Sequence, residues 1–592
     1  MKKFTLLFSL GIFLFIAMAF MPSANQFDDN WKSKVSPLLL SKVDAGETLD
    51  FLVILNDQKD VSAARRLKSK EARSQYVFKK LQQDIYKKQK NILQLLESKR
   101  VNHRAFYIVN AIQVQGDEEL LKTIAEFPEV KNITDNSYVK MEEPILATNA
   151  RTATEWGIEM INADDVWLMG FNGQGVVVGG QDTGYDWTHP ALTQKYRGNG
   201  ATVDHNYNWH DAIHEISPLH NDSIIAPTNN PCGIDILEPC DDISIHHGTH
   251  TMGTMVGEEG ENQIGVSPGA SWVGCRCMER GYGKPSSYIE CFEWFLAPTD
   301  LNNENPDPSK APHVIANSWS CPEMEGCDST NWAVMEMVVD NLKASGVVVV
   351  VSAGNSGSQG CGSVNTPAGF FEGSFSIGAT ASNDTIAGFS SRGPVTANGS
   401  GIMKPNVSAP GVSVRSSVAN GGYASYSGTS MAGPHAAGMV ALIISANPSL
   451  AGQVEVIEDI IESTAVPKTT DEECGGVLGS EVPNNTYGYG RIDALAAVNA
   501  ALQIVDTDDL TDASVRVFPN PTEEWISIEL NNLSGDTRFE LFNTAGQMVR
   551  HLEWNLIDSE IKNISLKELS TGIYFYKIKN EGKELSGKLV KR

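Results

Sequence analysis

Two stretches of this chain, "GQGVVVGGQDTG" running through Asp182 and "SGVVVVVSAGNSG" running through Asn355, are valine-rich runs with no charged residue before their ends. A strand points successive side chains to opposite faces. A strand that is apolar on both faces has to be covered on both, which points to a parallel sheet between two layers of helices. "ASWVGCRCME" and "HVIANSWS" are runs of the same kind. Helical patterns such as "NWAVMEMVVDNLKAS" and "SMAGPHAAGMVALIISA" separate them. Residues 146–505 are therefore expected to form an α/β domain with a doubly wound parallel sheet. Its functional residues belong just past the carboxyl ends of the strands.

The chain has 592 residues, too many for a single core, and its flanks read differently. Lys2 and Lys3 precede an apolar run from Phe4 to Phe20 and then small residues, the pattern of a signal peptide over residues 1–24. An uncleaved anchor is the rival reading of that run. Residues 25–145 alternate strand and helix patterns: "LDFLVILND", the long charged helix "EARSQYVFKKLQQDIYKKQKNILQLLESK", "HRAFYIVNAIQVQGD", "DEELLKTIAEF" and "VKNITDNSYVKM". The order β-α-β-α-β predicts an α+β ferredoxin-like unit. A polar acidic linker over 506–514 leads to residues 515–592. There short alternating segments broken by Gly, Asn and Pro predict a small all-β sandwich.

Charge narrows the partners. The net charge is −26, and residues 151–510 carry all of the deficit, while the segment before them is slightly basic. An acidic middle repels phosphates, which argues against nucleic-acid binding. The nine cysteines all lie between Cys232 and Cys474. In an exported protein they are expected to form disulfides, with Cys232/Cys240 and Cys321/Cys327 close enough for local loops and at least one thiol left over. With no C-x-x-C pair, a zinc site is not expected.

Four residues stand where such a sheet places chemistry. Asp182 and Asn355 end strand runs, His247 sits in "HHGTHTMG" ahead of a small-residue helix, and Ser430 sits in "YSGTSMAGPHAAG" at a helix start. A serine nucleophile needs an imidazole to take its proton and a carboxylate to orient that imidazole. It also needs donors for the oxyanion, here the Asn355 amide and a backbone N–H at Ser430. Taken singly, each is more simply a cap, turn or packing residue. Together they lie in one domain at strand ends or helix starts.

The motifs "DTG", "HGTHTMG", "SAGNSG" and "GTSMAGPH", in this order over about 350 residues, resemble the subtilisin-like serine peptidases. "HPAL", "YNWHD", "NSWSCPEMEGC" and "FSSRGP" are similar to its bacillopeptidase F-like branch. The resemblance implies Asp182 as orienter, His247 as general base, Ser430 as nucleophile and Asn355 as oxyanion donor. The family's base directly precedes Gly-Thr-His, which selects His247 over His246 and leaves His250 as a packing residue. Ser318, Trp319 and Ser320 should pair with extended substrate, with Ser352, Ala353 and Gly354 as the facing wall. Ser320 replaces the family's usual glycine, and Gly433 stands where Ser or Thr is usual. Residues 25–145 resemble the family's inhibitory propeptides, with a permanent accessory domain as the alternative. A self-inflicted cut is expected between Met141 and Glu155. The last segment, from "VFPNP" through "TGIYFYKI" to "GKLVKR", resembles the type A sorting domain of type IX secretion. A substrate-binding β module is its rival.

The expected protein is a secreted serine endopeptidase that hydrolyses proteins or peptides through an acyl-enzyme. It would be exported through the periplasm of a Gram-negative bacterium to the surface or medium, with the secretion machinery as partner. A narrow processing peptidase and a non-catalytic surface binding protein are the alternatives. The chemistry requires no cofactor. Structural calcium is common in the family, although "VGEEGENQIGVSPG" does not reproduce its usual calcium loop, so no ligands are named.

Overall fold

The valine runs become neighbouring strands of one sheet. In the computed structural model seven strands lie in the order Val407–Pro410, Phe375–Thr380, Val348–Ser352, Val314–Asn317, Val177–Asp182, Ser271–Arg276, Trp209–Asp211. Every neighbouring pair is parallel. The structure describes residues 29–147, 153–219, 231–241, 246–319, 327, 329–504, 514–531, 535–544, 546–556, 560–580 and 583–592. The expected signal peptide, the linker residues 506–513, Cys321 and Ser320 lie outside them.

The sheet is covered on both sides, as its composition demands. One core packs Val178, Val348, Val350 and Ile377 with Met439, Val440 and Ile443 of the helix Thr429–Ala446. The other packs Val349, Val351 and Ile315 with Phe292 and Phe295 of Pro285–Leu296 and with Val338 and Leu342 of Ser329–Ala344. Thr429–Ala446 is the one helix among the described residues long and apolar enough to cross a membrane, but 94% of it is buried in this core. Both doubly wound faces are what the sequence led us to expect.

Residues 29–147 form a four-stranded antiparallel sheet in the order His103–Phe106, Ala111–Gly116, Leu49–Leu55, Val130–Asp135, with helices against it. Two local expectations are corrected. "HRAFYIVNAIQVQGD" is a hairpin and not one strand, because Tyr107–Asn110 turn. There Asn110 is held by Gln58 and Asp57. The long helix breaks into Lys70–Gln82 and Ile85–Lys99 around Asp84, whose φ is 61°. The result is the β-α-β-β-α-β arrangement of a ferredoxin-like sandwich.

This sheet docks on the two helices Pro285–Leu296 and Ser329–Ala344. Glu293 accepts the backbone N–H groups of Tyr107 at 2.6 Å and Ile108 at 2.9 Å. Asn331 and Thr134 share a hydrogen bond of 2.8 Å, and Asn136 caps the helix start at Ser286. Basic groups of the N-terminal segment meet acidic groups of the α/β domain. Arg104 pairs with Glu290 at 2.8 Å and Arg73 with Glu455 at 3.5 Å. Burial raises the Glu290 carboxyl, but Arg104, His210 and His214 outweigh it and hold the group well below the usual carboxylate range. Burial also pushes Glu293 up to about 7, against the pull of its two backbone donors.

The chain from Gln503 onward forms a separate compact unit. Ser514–Phe518, Trp525–Asn531 and Glu560–Ser565 make one antiparallel sheet. Met548–Leu556, Gly535–Asn543, Gly572–Asn580 and Lys583–Lys591 make the other. Ile526, Ile528, Leu530, Phe539, Leu541 and Ile578 fill the space between them, giving the expected small β-sandwich. Three disulfides join described residues: Cys232–Cys240, Cys275–Cys291 and Cys361–Cys474. Cys327 is also disulfide-bonded, and Cys277 is a buried free thiol.

Candidate active site

Asp182 is the last residue of the strand Val177–Asp182, and His247 opens the helix His247–Val256. His247 Nδ1 lies 2.8 and 2.9 Å from the two Asp182 carboxylate oxygens. Both side chains are buried. His247 Nε2 is buried too and has no hydrogen-bond partner among the described residues. That is the atom a nucleophile or a leaving group would meet.

The carboxylate and ring are fixed from behind. Asp182 accepts from the Thr183 N–H at 2.8 Å and from the Thr251 hydroxyl at 3.3 Å. Thr183 and Thr249 both donate to buried Asp241. Gly248 has to be glycine, because a Cβ there would run into the Gly184 carbonyl oxygen. Sequence reading missed this supporting shell. The signal was present as three threonines within the "DTG" and "HGTHT" motifs, but which carboxylate they would serve was not readable. His250, one turn on, stacks on Tyr426 at 4.4 Å and bonds the Val414 and Ala424 carbonyls. Burial first, then the nearby His247, lowers its pKa to about 3, so it stays a neutral packing residue.

Ser430 is the second residue of the helix Thr429–Ala446 and is buried. Its backbone N–H lies in the first turn, where helix N–H groups have no partner within the helix. Asn355, just past the Val348–Ser352 strand, is locked to the same turn. Its Oδ1 accepts from Thr429 N–H at 2.9 Å and from Thr429 Oγ1 at 3.0 Å. These bonds use the Asn355 carbonyl oxygen and leave its Nδ2 group as the donor. A Cβ at Gly433 would meet nothing nearer than 3.8 Å, so the usual Ser or Thr would fit there.

The residues expected as walls, Ser320 aside, are all described. Ser318 and Ser352 are hydrogen-bonded at 3.2 Å across neighbouring strands. Trp319 stacks on Tyr288 at 4.5 Å. Ala353 is buried, and Gly354, at φ 99°, receives the Thr429 hydroxyl as acceptor of its N–H at 3.3 Å. One edge went unread from sequence: Tyr282 and Gly283 pair antiparallel with Lys140 and Val139 of the N-terminal segment. The glycines of "ERGYGKP" were its only sign.

Residues 173–490 match the subtilase family. The chain belongs to that family. Its chemistry is accordingly that of a serine-type endopeptidase. It is 34% identical over 529 residues to Bacillopeptidase F of Bacillus subtilis (strain 168), a match covering 83% of this chain and 34% of that one. The chain thus spans about a third of that relative's length. It is 29% identical over 396 residues to Subtilisin E of the same organism, covering 67% of this chain and 82% of the relative. Subtilisin of Bacillus pumilus is 29% identical over 344 residues, covering 58% and 98%. Residues 516–592 match a secretion system C-terminal sorting domain, which implies secretion or surface attachment.

Proposed function

We propose that the protein is an exported zymogen whose Ser430 hydrolyses peptide bonds in proteins. Ser430 Oγ adds to the substrate carbonyl while His247 Nε2 takes its proton. Asp182 holds the ring tautomer and stabilises the imidazolium. Asn355 Nδ2 and the Ser430 N–H receive the oxyanion, with the helix start adding partial positive charge. Nε2 then protonates the leaving amine, and water releases the acyl group by the same path. The observation that carries this reading is the buried Asp182–His247 pair, with Nε2 left without a partner among the described residues.

In the proposed zymogen, residues 25–145 form the inhibitor and their tail lies along the substrate edge at Tyr282–Gly283. Type IX secretion in a Gram-negative bacterium is the proposed route, through the C-terminal domain. The family also implies structural calcium. Among the described residues no group of three or more His, Cys, Asp or Glu is placed to hold a metal ion, so no step is routed through one. The test is hydrolysis of casein by the purified chain and by its Ser430→Ala variant. Activity in the first and none in the second, with matching circular dichroism, is expected. Equal activity removes Ser430 from the mechanism.

A further inference from the structure

We infer that maturation cuts the bond between Glu142 and Glu143. The inference rests on the zymogen reading above. Two strand pairings hold the N-terminal tail, one before and one after Glu142–Pro144. Upstream, Val139 pairs with Gly283 and Lys140 with Tyr282, and the Met141 N–H donates to the Gly281 carbonyl at 2.8 Å. Val139 and Met141 are buried there in one apolar cluster with Tyr288 and Trp319, while Lys140 faces solvent. Downstream, Ile145 pairs with Ser427, Leu146 with Tyr426 and Ala147 with Ser425. Glu142, Glu143 and Pro144 lie between the two pairings and belong to neither.

The two pairings bracket the bond. The downstream strand Gly422–Ser427 is followed by Gly428 and then by the helix Thr429–Ala446 that carries Ser430, so the reacting bond belongs in the stretch between Met141 and Ile145. Within that stretch the upstream pairing selects Glu142, because its last hydrogen bond is at Met141 and the next carbonyl is that of Glu142. Cutting one residue later would break the tertiary amide bond to Pro144, whose nitrogen carries no hydrogen and whose ring fixes φ. Cutting one residue earlier would need the tail to slide, and a one-residue slip turns buried Val139 and Met141 outward.

The step balances within the chain. Ser430 Oγ adds to the Glu142 carbonyl carbon and gives its proton to His247 Nε2. The Glu142–Glu143 C–N bond breaks, and the Glu143 nitrogen leaves with that proton. Water then hydrolyses the ester, freeing the Glu142 carboxylate and restoring the Ser430 hydroxyl. The substrate class follows: extended peptides with an acidic residue at the acyl position and apolar residues one and three places before it. Lys140 pairs with Glu143 at 2.9 Å across the bond and neutralises one of the two adjacent acids.

The experiment follows maturation of the purified full-length chain by N-terminal sequencing and intact mass, with casein hydrolysis measured in parallel. The mature form is expected to begin at Glu143. Separately, the mature enzyme is given the peptide spanning Tyr138–Ala147 and the same peptide carrying Glu143→Pro. It should cut the first after Glu142 and the second about 100-fold more slowly, the cost of a displaced reacting bond. A mature form that starts elsewhere, or a peptide cut at another bond or at equal rates, with casein hydrolysis intact, overturns the bond and leaves the peptidase. Absence of casein hydrolysis and of peptide cleavage overturns both.

Discussion

The parallel sheet of the α/β domain and the two antiparallel sheets of the C-terminal unit obey the same strand geometry but put their side chains to opposite uses. In the parallel sheet, strands far apart in sequence end side by side. Asp182, Ser318 and Ser352 reach one edge from three neighbouring strands. Buried polar groups gather there: Asp182, Thr183, Asp241, His247 and Thr251. In the sandwich, strands pair mostly with near neighbours in sequence, and its larger apolar groups on display are at the surface. Phe518, Trp525, Met548, Ile561 and Phe575 are all exposed. The first unit organises a reaction in a buried place. The second offers a surface to be recognised, as its match to a sorting domain leads one to expect.

The division breaks most visibly at the nucleophile. Ser430→Ala should lower kcat on a peptide substrate by about 10⁶-fold, the size measured when a subtilisin loses its serine. Removing residues 514–592 should leave kcat/KM of the purified enzyme unchanged while stopping export in a native-type host. Normal export with lost binding to insoluble protein would make the sandwich a substrate-binding module. Asn355→Ala comes next. It should cut kcat by about 10²–10³-fold with little change in KM, again a magnitude known from a subtilisin. A change confined to KM would make Asn355 a binding residue.

How much of this could be read from sequence divides along the same line. The parallel sheet was legible because a run such as Val347–Val351 has one stable setting, buried on both faces. The four proposed chemical residues could be named because each sits in a short motif tied to a strand end or helix start. Partners that meet only through the fold were not legible. Cys275 and Cys291 are bonded across a strand and a helix, and pairing among nine cysteines does not follow from spacing. Asp241 supports Thr183 from a loop without periodicity. The hairpin at Tyr107–Asn110 was hidden because its apolar residues continue the strand pattern; Ile108 and Val109 are buried at the turn.

Glycines sharpen the comparison at smaller scale. Gly248→Ala would press a methyl on the Gly184 carbonyl and should cost about 3 kcal/mol by denaturant unfolding. Gly546→Ala, at φ 76° with nothing within 4 Å, meets only backbone strain and should cost about 1 kcal/mol. Equal costs would mean that the α/β site relaxes as freely as a surface turn.

Acid should also separate the two units. Burial lowers His250 and His313 to about 3 and His435 to about 4, all in the α/β domain. The fold keeps these rings neutral, whereas the unfolded chain protonates them near pH 6.5. Their stability is present above that pH and is lost as pH falls towards 4. At pH 5 each accounts for about 2 kcal/mol. Calorimetry should show the α/β transition moving down between pH 6.5 and 5, with the sandwich transition nearly still. Parallel movement of both would contradict the assignment.

The central claim is that the chemistry resides on Ser430 within the first compact unit and owes nothing to the second. A fluorophosphonate reagent attacks only a serine activated by its base, so its site and rate report that claim directly. The matured enzyme and its form lacking residues 514–592 would be labelled side by side, and the adduct mapped by mass spectrometry. One adduct per chain is expected, on Ser430, forming at the same rate in both and absent from a His247→Ala variant. An adduct on another residue, or one that forms only when the C-terminal unit is present, would contradict the claim.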